Sequence, residues 1–258
     1  MTPRLAKVGG QVVDLLGNAG AAATITKQGN FQSYAANPYS AYTGMWGHYR
    51  SELLVAESSM TVTPSTFPAG TVFNWDVTPA PDWGGVNGYL HLDYGNYDWS
   101  PGTITPRQVK NITDLTLDVG WTYQGDPSSG LLSELWLSSQ AAPSGQFPKI
   151  REIGFFPKFS PGAQAFVASL PNVSTGSFVD SAGLTWNVKK SAIYYIAYRP
   201  GYADFQGVLP YLDYLEFLQA AGEITGDEWY NGVAFGVEPF SGAGSMTITE
   251  FAPTYSGV

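Results

Sequence analysis

The chain has 258 residues, a net charge of −9 and only 13% charged residues, with no basic cluster, so nucleic acid is not an expected partner. It has no cysteine, which excludes disulfides and thiolate metal sites, and its two histidines, His48 and His91, are too few for a multi-histidine zinc centre. With 30 Gly, 18 Pro, 16 Tyr, 14 Phe and 8 Trp, the composition is that of a turn-rich, aromatic-rich all-β chain whose length suits one large core.

Residues 1–30 are rich in Gly and Ala and read as an N-terminal arm with room for one edge strand. After Arg4 and Lys7, Gln11 and Asp14 interrupt any secretory leader core, and no stretch is long and apolar enough to span a membrane. Residues 31–258 read as a single domain. Its first part sets Phe31, Tyr34, Tyr39, Tyr42, Trp46 and Tyr49 among Asn, Ser and Gly, aromatics that suit either stacking on sugar rings or packing under loops.

Short apolar runs then recur between Gly, Pro, Asp and Ser turns. The expected strands are Ser51–Ala56, Met60–Pro64, Thr71–Val77, Gly88–Asp93, Leu115–Tyr123, Leu131–Ser139, Lys149–Phe156, Ala165–Ala168, Ser177–Val179, Leu184–Lys189, Ile193–Tyr198, Gly232–Glu238 and Ser245–Phe251. That spacing predicts a two-sheet β-jelly-roll sandwich. One stretch departs from it. In Phe205–Gly222 the apolar residues Val208, Tyr211, Leu212, Leu215 and Leu218 follow helical spacing, with Pro210 suited to the first turn and Gly222 to the stop. This predicts a single helix on the outer face of a sheet.

Few acids stand inside strand patterns, and three of them, Glu134, Glu152 and Glu238, are the candidates. Alternation puts Ala234, Gly236, Glu238 and Phe240 on one face, opposite Val233, Phe235 and Val237. It puts Ile150, Glu152, Gly154 and Phe156 together, with Lys149 and Arg151 on the other side, and groups Glu134 with Trp136 and Ser138. Small and aromatic residues beside an acid leave room for a ligand, and a carboxylate on an apolar strand is costly without a partner or a purpose. Two facing carboxyls with separated pKa values are what glycosidic cleavage needs: one ionised, the other still holding its proton. A Ser–His–Asp triad could run only through His48 or His91, and neither lies in a nucleophile-elbow motif.

Together these segments resemble glycoside hydrolase family 12, the jelly-roll endo-β-1,4-glucanases and xyloglucanases. Gly236-Val-Glu238-Pro-Phe-Ser-Gly242 is similar to the family's Gly-Thr-Glu-Pro-Phe-x-Gly around its general acid/base. Glu152-Ile-Gly-Phe-Phe stands where the family has Glu-Ile-Met-Ile-Trp-Leu with the nucleophile, and Ser133-Glu134-Leu-Trp136 where it has Tyr-Asp-Leu-Trp/Phe with an assisting Asp. Glu152 lies 18 residues after Glu134 and 86 before Glu238, close to the family's intervals. Gly183-Leu-Thr-Trp186 and Val86-Asn-Gly-Tyr89 resemble two further family segments, and the expected helix falls where the family's helix falls.

The resemblance implies a concanavalin-like jelly roll that hydrolyses β-1,4-glucan with retention. It implies Glu152 as nucleophile, Glu238 as acid/base and Glu134 as assisting carboxylate, their reacting pair about 5–5.5 Å apart. It implies sugar subsites lined by Trp46, Tyr39, Tyr89, Trp136, Phe156 and Phe240, no metal or other cofactor, a secreted monomer and a β-glucan polysaccharide as the only partner. Asn37-Pro-Tyr39 and Met45-Trp46-Gly47 are alternative sugar platforms. Glu134 is the rival nucleophile, because Glu-Leu-Trp-Leu also mimics the family strand, although the interval to Glu238 favours Glu152. Gly154 and Phe156 replace the family's Met and Trp, which alters the cleft floor and keeps a non-catalytic carbohydrate-binding jelly roll as the alternative function.

Overall fold

The computed structural model describes residues 5–8, 11–14, 23–47, 55–78 and 85–258. His48, Tyr49 and most of the expected strand Ser51–Ala56 lie outside them. In chain order the first strands are β1 (Leu5–Val8), β2 (Gln11–Asp14), β3 (Ile25–Gln28), β4 (Ser33–Ala36), β5 (Tyr39–Met45), β6 (Val55–Val62), β7 (Thr71–Thr78), β8 (Gly88–Gly95) and β9 (Arg107–Gln108). There follow β10 (Ile112–Gly125), β11 (Gly130–Ser138), β12 (Lys149–Lys158), α1 (Pro161–Ser169), β13 (Asn172–Val179), β14 (Thr185–Ser191) and β15 (Tyr194–Tyr198). The chain ends with β16 (Gly207–Leu209), α2 (Tyr211–Ala220), β17 (Trp229–Glu238) and β18 (Gly242–Gly257).

The strands form a jelly-roll sandwich. The smaller sheet runs β16-β10-β18-β7-β6-β3, and the larger runs β13-β14-β15-β12-β11-β17-β8-β5-β4, with β9 pairing β17 at its side. Within the described part of residues 1–30, β1 pairs with β2, while β3 stands at the end of the smaller sheet.

The two sheets read differently in burial. On β7 buried and half-buried residues alternate, the mark of a strand with one face on the core and one toward water. On β11 and β17 almost every residue is buried. The core face of the larger sheet, with Leu135, Ile153, Phe155, Val233 and Phe235, packs against Phe73, Trp75, Met246 and Ile248 of the smaller sheet. Its other face carries a second cluster, with Tyr89, Leu132, Phe156, Ile196 and Ala234, and there the expected acids project.

Among the described residues two α-helices form instead of the single one expected. Ala165–Ala168 belongs to α1, not to a strand. Ser160 caps that helix by accepting a hydrogen bond from the Ala163 N–H at 3.1 Å, and Pro161 fills the first position. Four apolar residues suit either element, and the cap decides. Helix α2 begins at Tyr211, so Val208 lies on β16, and Pro210 precedes the first turn. Gly222, at φ 74°, ends the helix as expected. Its stripe faces inward, with Tyr211, Tyr214, Leu215 and Leu218 buried. Tyr211 and Tyr214 meet Phe155 edge-on at 4.9 and 5.1 Å, so α2 completes the core beside the short edge strand β16. No helix among the described residues is long and apolar enough to cross a membrane.

Candidate active site

Strand order places β11 between β12 and β17, and each contributes one carboxyl to the same face. Across β11, Glu152 stands opposite Trp136 and Glu238 opposite Gly130, so Glu134 lies between their levels. Glycine is required behind Glu238. A Cβ on Gly236 would lie 2.0 Å from the Leu90 carbonyl oxygen of β8, so only glycine lets the two strands approach. Beyond Glu238 the chain is pinned by Asn87, whose N–H donates to the Pro239 carbonyl at 2.8 Å and whose side-chain amide donates to the Phe240 carbonyl at 2.6 Å.

Three adjoining cavities form a cleft across this face. The central one, about 410 Å³, is lined by Trp46, Tyr89, Trp136, Glu134, Glu152 and Glu238 among others. A second, about 400 Å³, shares Glu152 and Glu238 and extends over Phe156, Phe240 and Phe166 of α1. A third, about 620 Å³, continues past Tyr42, His91 and Asp98 to Trp99. Every expected subsite residue except Tyr39 lies in this cleft. Tyr39 points into the core instead, against Tyr94 at 5.6 Å and Phe251 at 6.2 Å. Alternation along β5 puts Tyr39, Ala41 and Met45 on the core face and gives Tyr42 to the cleft, so of the two platforms Trp46 is the one in place.

The three carboxyls differ in how they hold a proton. Glu238 is pushed up to about 8, by burial first and then by the charge of Glu152. Glu134 is buried and raised well above the usual carboxylate range, by burial, by the charge of Glu152 and by a shared hydrogen bond with it. Glu152 is raised by burial, but that same hydrogen bond and the charge of Lys149 act to lower it. All three are raised, and Glu152 is the one for which a hydrogen bond and the charge of Lys149 both oppose the effect of burial. Glu134 and Glu152 titrate as a pair, not as independent groups.

Lys149 is not on the face opposite Glu152, as simple alternation implied. The β11–β12 register skips Ile150, pairing Leu137 with Arg151 and Ser138 with Lys149, and this bulge turns Lys149 toward the cleft. Its ammonium lies 4.5 Å from the Trp136 ring centre and 2.6 Å from the Asp98 carboxylate. Arg151 stays on the other side, donating to the Glu223 carbonyl at 3.1 Å. Because a nearby cation favours the ionised carboxylate, Lys149→Gln is expected to move the acidic limb of a pH–rate profile to higher pH. Asp98→Asn, which leaves Lys149 unneutralised, is expected to move it lower. Rates measured across the acidic range for both variants check the pair of opposite shifts.

Sequence reasoning missed several cleft residues. His91 enters as part of a chain in which its Nδ1 lies 2.7 Å from Asp93 while Ser40 donates to the other Asp93 oxygen at 2.9 Å. Serine thus bonds to the aspartate and not to the imidazole, so this is no nucleophilic triad. The His91 ring stacks on Tyr89, centroids 4.4 Å apart. Tyr97, Asp98 and Trp99 come from the segment after β8, where no pattern marked them. Among the described residues no group of three His, Asp or Glu is placed to hold a metal. Buried polar atoms without a partner gather here: Glu134 Oε2, Trp136 Nε1 and the Tyr194 hydroxyl. Each such atom is costly, and a site awaiting a polar ligand is where such a cost is tolerated.

This chain has the two-sheet jelly-roll fold of the family 12 glycoside hydrolases. It is similar to the endoglucanase cel12A from Rhodothermus marinus, at TM-score 0.71 and 17% identity, with 91% of this chain and 100% of that one covered. A metagenome-derived family 12 endoglucanase gives TM-score 0.73 at 16% identity, covering 92% of this chain and all 100% of its own. The family 12 xyloglucanase from Bacillus licheniformis gives 0.68 at 15% identity, with 91% and 100% covered. No protein-family model matches the chain, and no curated protein matches its sequence.

Proposed function

We propose that the chain is a retaining, endo-acting hydrolase of β-1,4-linked glucan, with cellulose, mixed-linkage glucan or xyloglucan as substrate. The observation that carries this reading is the convergence of two carboxyls in one cleft, both raised by burial, of which only Glu152 has neighbours that act to lower it. Glu238 keeps its proton to about pH 8, while for Glu152 the neighbouring Glu134 and the cation of Lys149 act to lower a pKa that burial raises. Glu152 attacks the anomeric carbon as the glycosidic C–O bond breaks, and Glu238 gives its proton to the departing oxygen. Glu238, now ionised, takes a proton from water, which displaces Glu152 from the ester and restores the starting configuration. Glu134 holds the proton that keeps the Glu152 charge in place. Trp46, Tyr89, Trp136, Phe156 and Phe240 line the sugar subsites, and a cleft continuous from Trp99 to Phe166 suits attack within a polymer. Secretion and action as a monomer belong to the same reading.

Reducing-end release from soluble xyloglucan, mixed-linkage glucan and a soluble cellulose derivative tests it. Release from at least one, with the first-formed anomer β by NMR, is the expected result. Binding without release on all three would make the chain a carbohydrate-binding jelly roll, and a first-formed α-anomer would make the pair an inverting one.

A further inference from the structure

We propose that Tyr194 is a further catalytic residue of this site: its hydroxyl donates to the sugar ring attacked by Glu152, and residue 154 is glycine so that Tyr194 can reach that ring. The proposal rests on the hydrolase reading above. Strands β12 and β15 are parallel, with Glu152 beside Tyr194 and Gly154 beside Ile196. From β15 the Tyr194 ring leans across Gly154. A Cβ there would lie 2.8 Å from the Tyr194 hydroxyl and 2.9 Å from its ring carbon Cε2. Any side chain at 154, the Met of the resembling motif included, would displace the ring. The glycine that marked an altered cleft floor is therefore filled from the next strand.

The hydroxyl is a donor without an acceptor. It is buried and makes no hydrogen bond, yet Tyr194 lines the cavity shared by Glu152 and Glu238. Glu134 Oε2 is also unpartnered, so the two have not satisfied one another. Burial, followed by the charges of Glu134, Glu152 and Glu238, raises the phenol well above its ordinary value, and the O–H stays intact across the working range. Leaving such a group unpaired costs the free protein stability, and a ligand oxygen relieves that cost. Tyr194 stands on the nucleophile's side, where the sugar group next to the anomeric carbon is the 2-hydroxyl. Hydrogen bonds to that hydroxyl strengthen as the ring approaches its oxocarbenium-like transition state. The contact is therefore worth more in the transition state than in the ground state, and its loss falls on kcat rather than KM.

The test uses Tyr194→Phe with an aryl β-cellobioside and with its analogue lacking the 2-hydroxyl on the ring attacked. On the parent substrate the variant is expected to lose about ten-fold or more in kcat, with KM changed by less than about two-fold. On the 2-deoxy substrate, variant and wild type are expected to differ by less than about two-fold. The Tm of the variant should match or exceed that of wild type, because an unsatisfied buried group has been removed. Gly154→Ala, which pushes the ring aside, should reproduce the kcat loss and add little to Tyr194→Phe. Full activity of Tyr194→Phe on the parent overturns the proposal, and so does an equal loss on both substrates, which would mean action through Glu152. A lowered Tm would make the hydroxyl structural and overturns it too. A wild-type protein that cleaves no β-glucan overturns the hydrolase reading and this proposal with it, whereas an active wild type with a silent variant overturns this proposal alone.

Discussion

Glu152→Gln is expected to lower turnover of soluble β-glucan by about 10⁴-fold or more, the scale on which losing a covalent nucleophile is felt. Gln keeps the volume and the hydrogen-bonding outline of Glu152 but cannot form the glycosyl ester. It also relieves Glu238, whose raised pKa owes part of its shift to the charge of Glu152. Removing that charge lowers the Glu238 pKa, so direct titration of Glu238 by NMR should show a downward shift in the variant. A 2-deoxy-2-fluoro β-glycoside with a good leaving group identifies the nucleophile independently. It should inactivate the wild type and leave its label on the peptide holding Glu152. A label on Glu134 would instead exchange the two roles. The geometry gives a reason to expect Glu152: Glu134 is the more deeply buried of the two and is held protonated by burial and by its neighbour. A protonated carboxyl is a poor nucleophile and a good donor.

The acids were legible because their strands alternate cleanly. Val233, Phe235 and Val237 fill the core, so their neighbours Ala234, Gly236 and Glu238 had to face away from it. The same logic failed where a face is not decided by polarity. Strand β5 carries Tyr39 and Tyr42 on opposite faces, each flanked by small residues, and nothing local says which phase meets the core. It failed at Ile150 for another reason: a bulge is a property of a pair of strands, and the skip that turns Lys149 toward Trp136 arises only when β12 is laid against β11. Tyr194 was out of reach in the same way. It becomes a neighbour of Glu152 through a parallel crossover that contains α1, β13 and β14. Helix α1 is different, because Ser160-Pro161 ahead of an apolar run is a local start signal. Read for its cap instead of its four apolar residues, that stretch gives the helix.

Glu238 carries the other large effect. Glu238→Ala is expected to cost about 10²–10⁴-fold on polysaccharide, the usual worth of a positioned general acid. On an aryl glycoside whose phenolate leaves unaided, the first step should be nearly spared, because little proton transfer is needed there. The glycosyl ester on Glu152 then accumulates, since no base activates water. Azide, which needs no base, should enter the space left by the side chain and restore turnover with a β-glycosyl azide as product. Equal losses on both substrates with no azide effect would make Glu238 structural. In the wild type the same group sets the alkaline limb of kcat/KM, which should fall through about pH 8, where Glu238 gives up its proton. Stability follows with a defined sign. The folded protein holds a proton on Glu238 up to about 8, whereas the unfolded chain releases it near 4.5. In that window the native state binds more protons than the unfolded one, so stability declines as pH rises from 4.5 to 8. Glu238→Gln removes the ionisation and should flatten that decline. Tm measured for both proteins across this range decides it: a wild-type slope that survives the substitution unchanged would assign the effect to Glu134 and Glu152 alone.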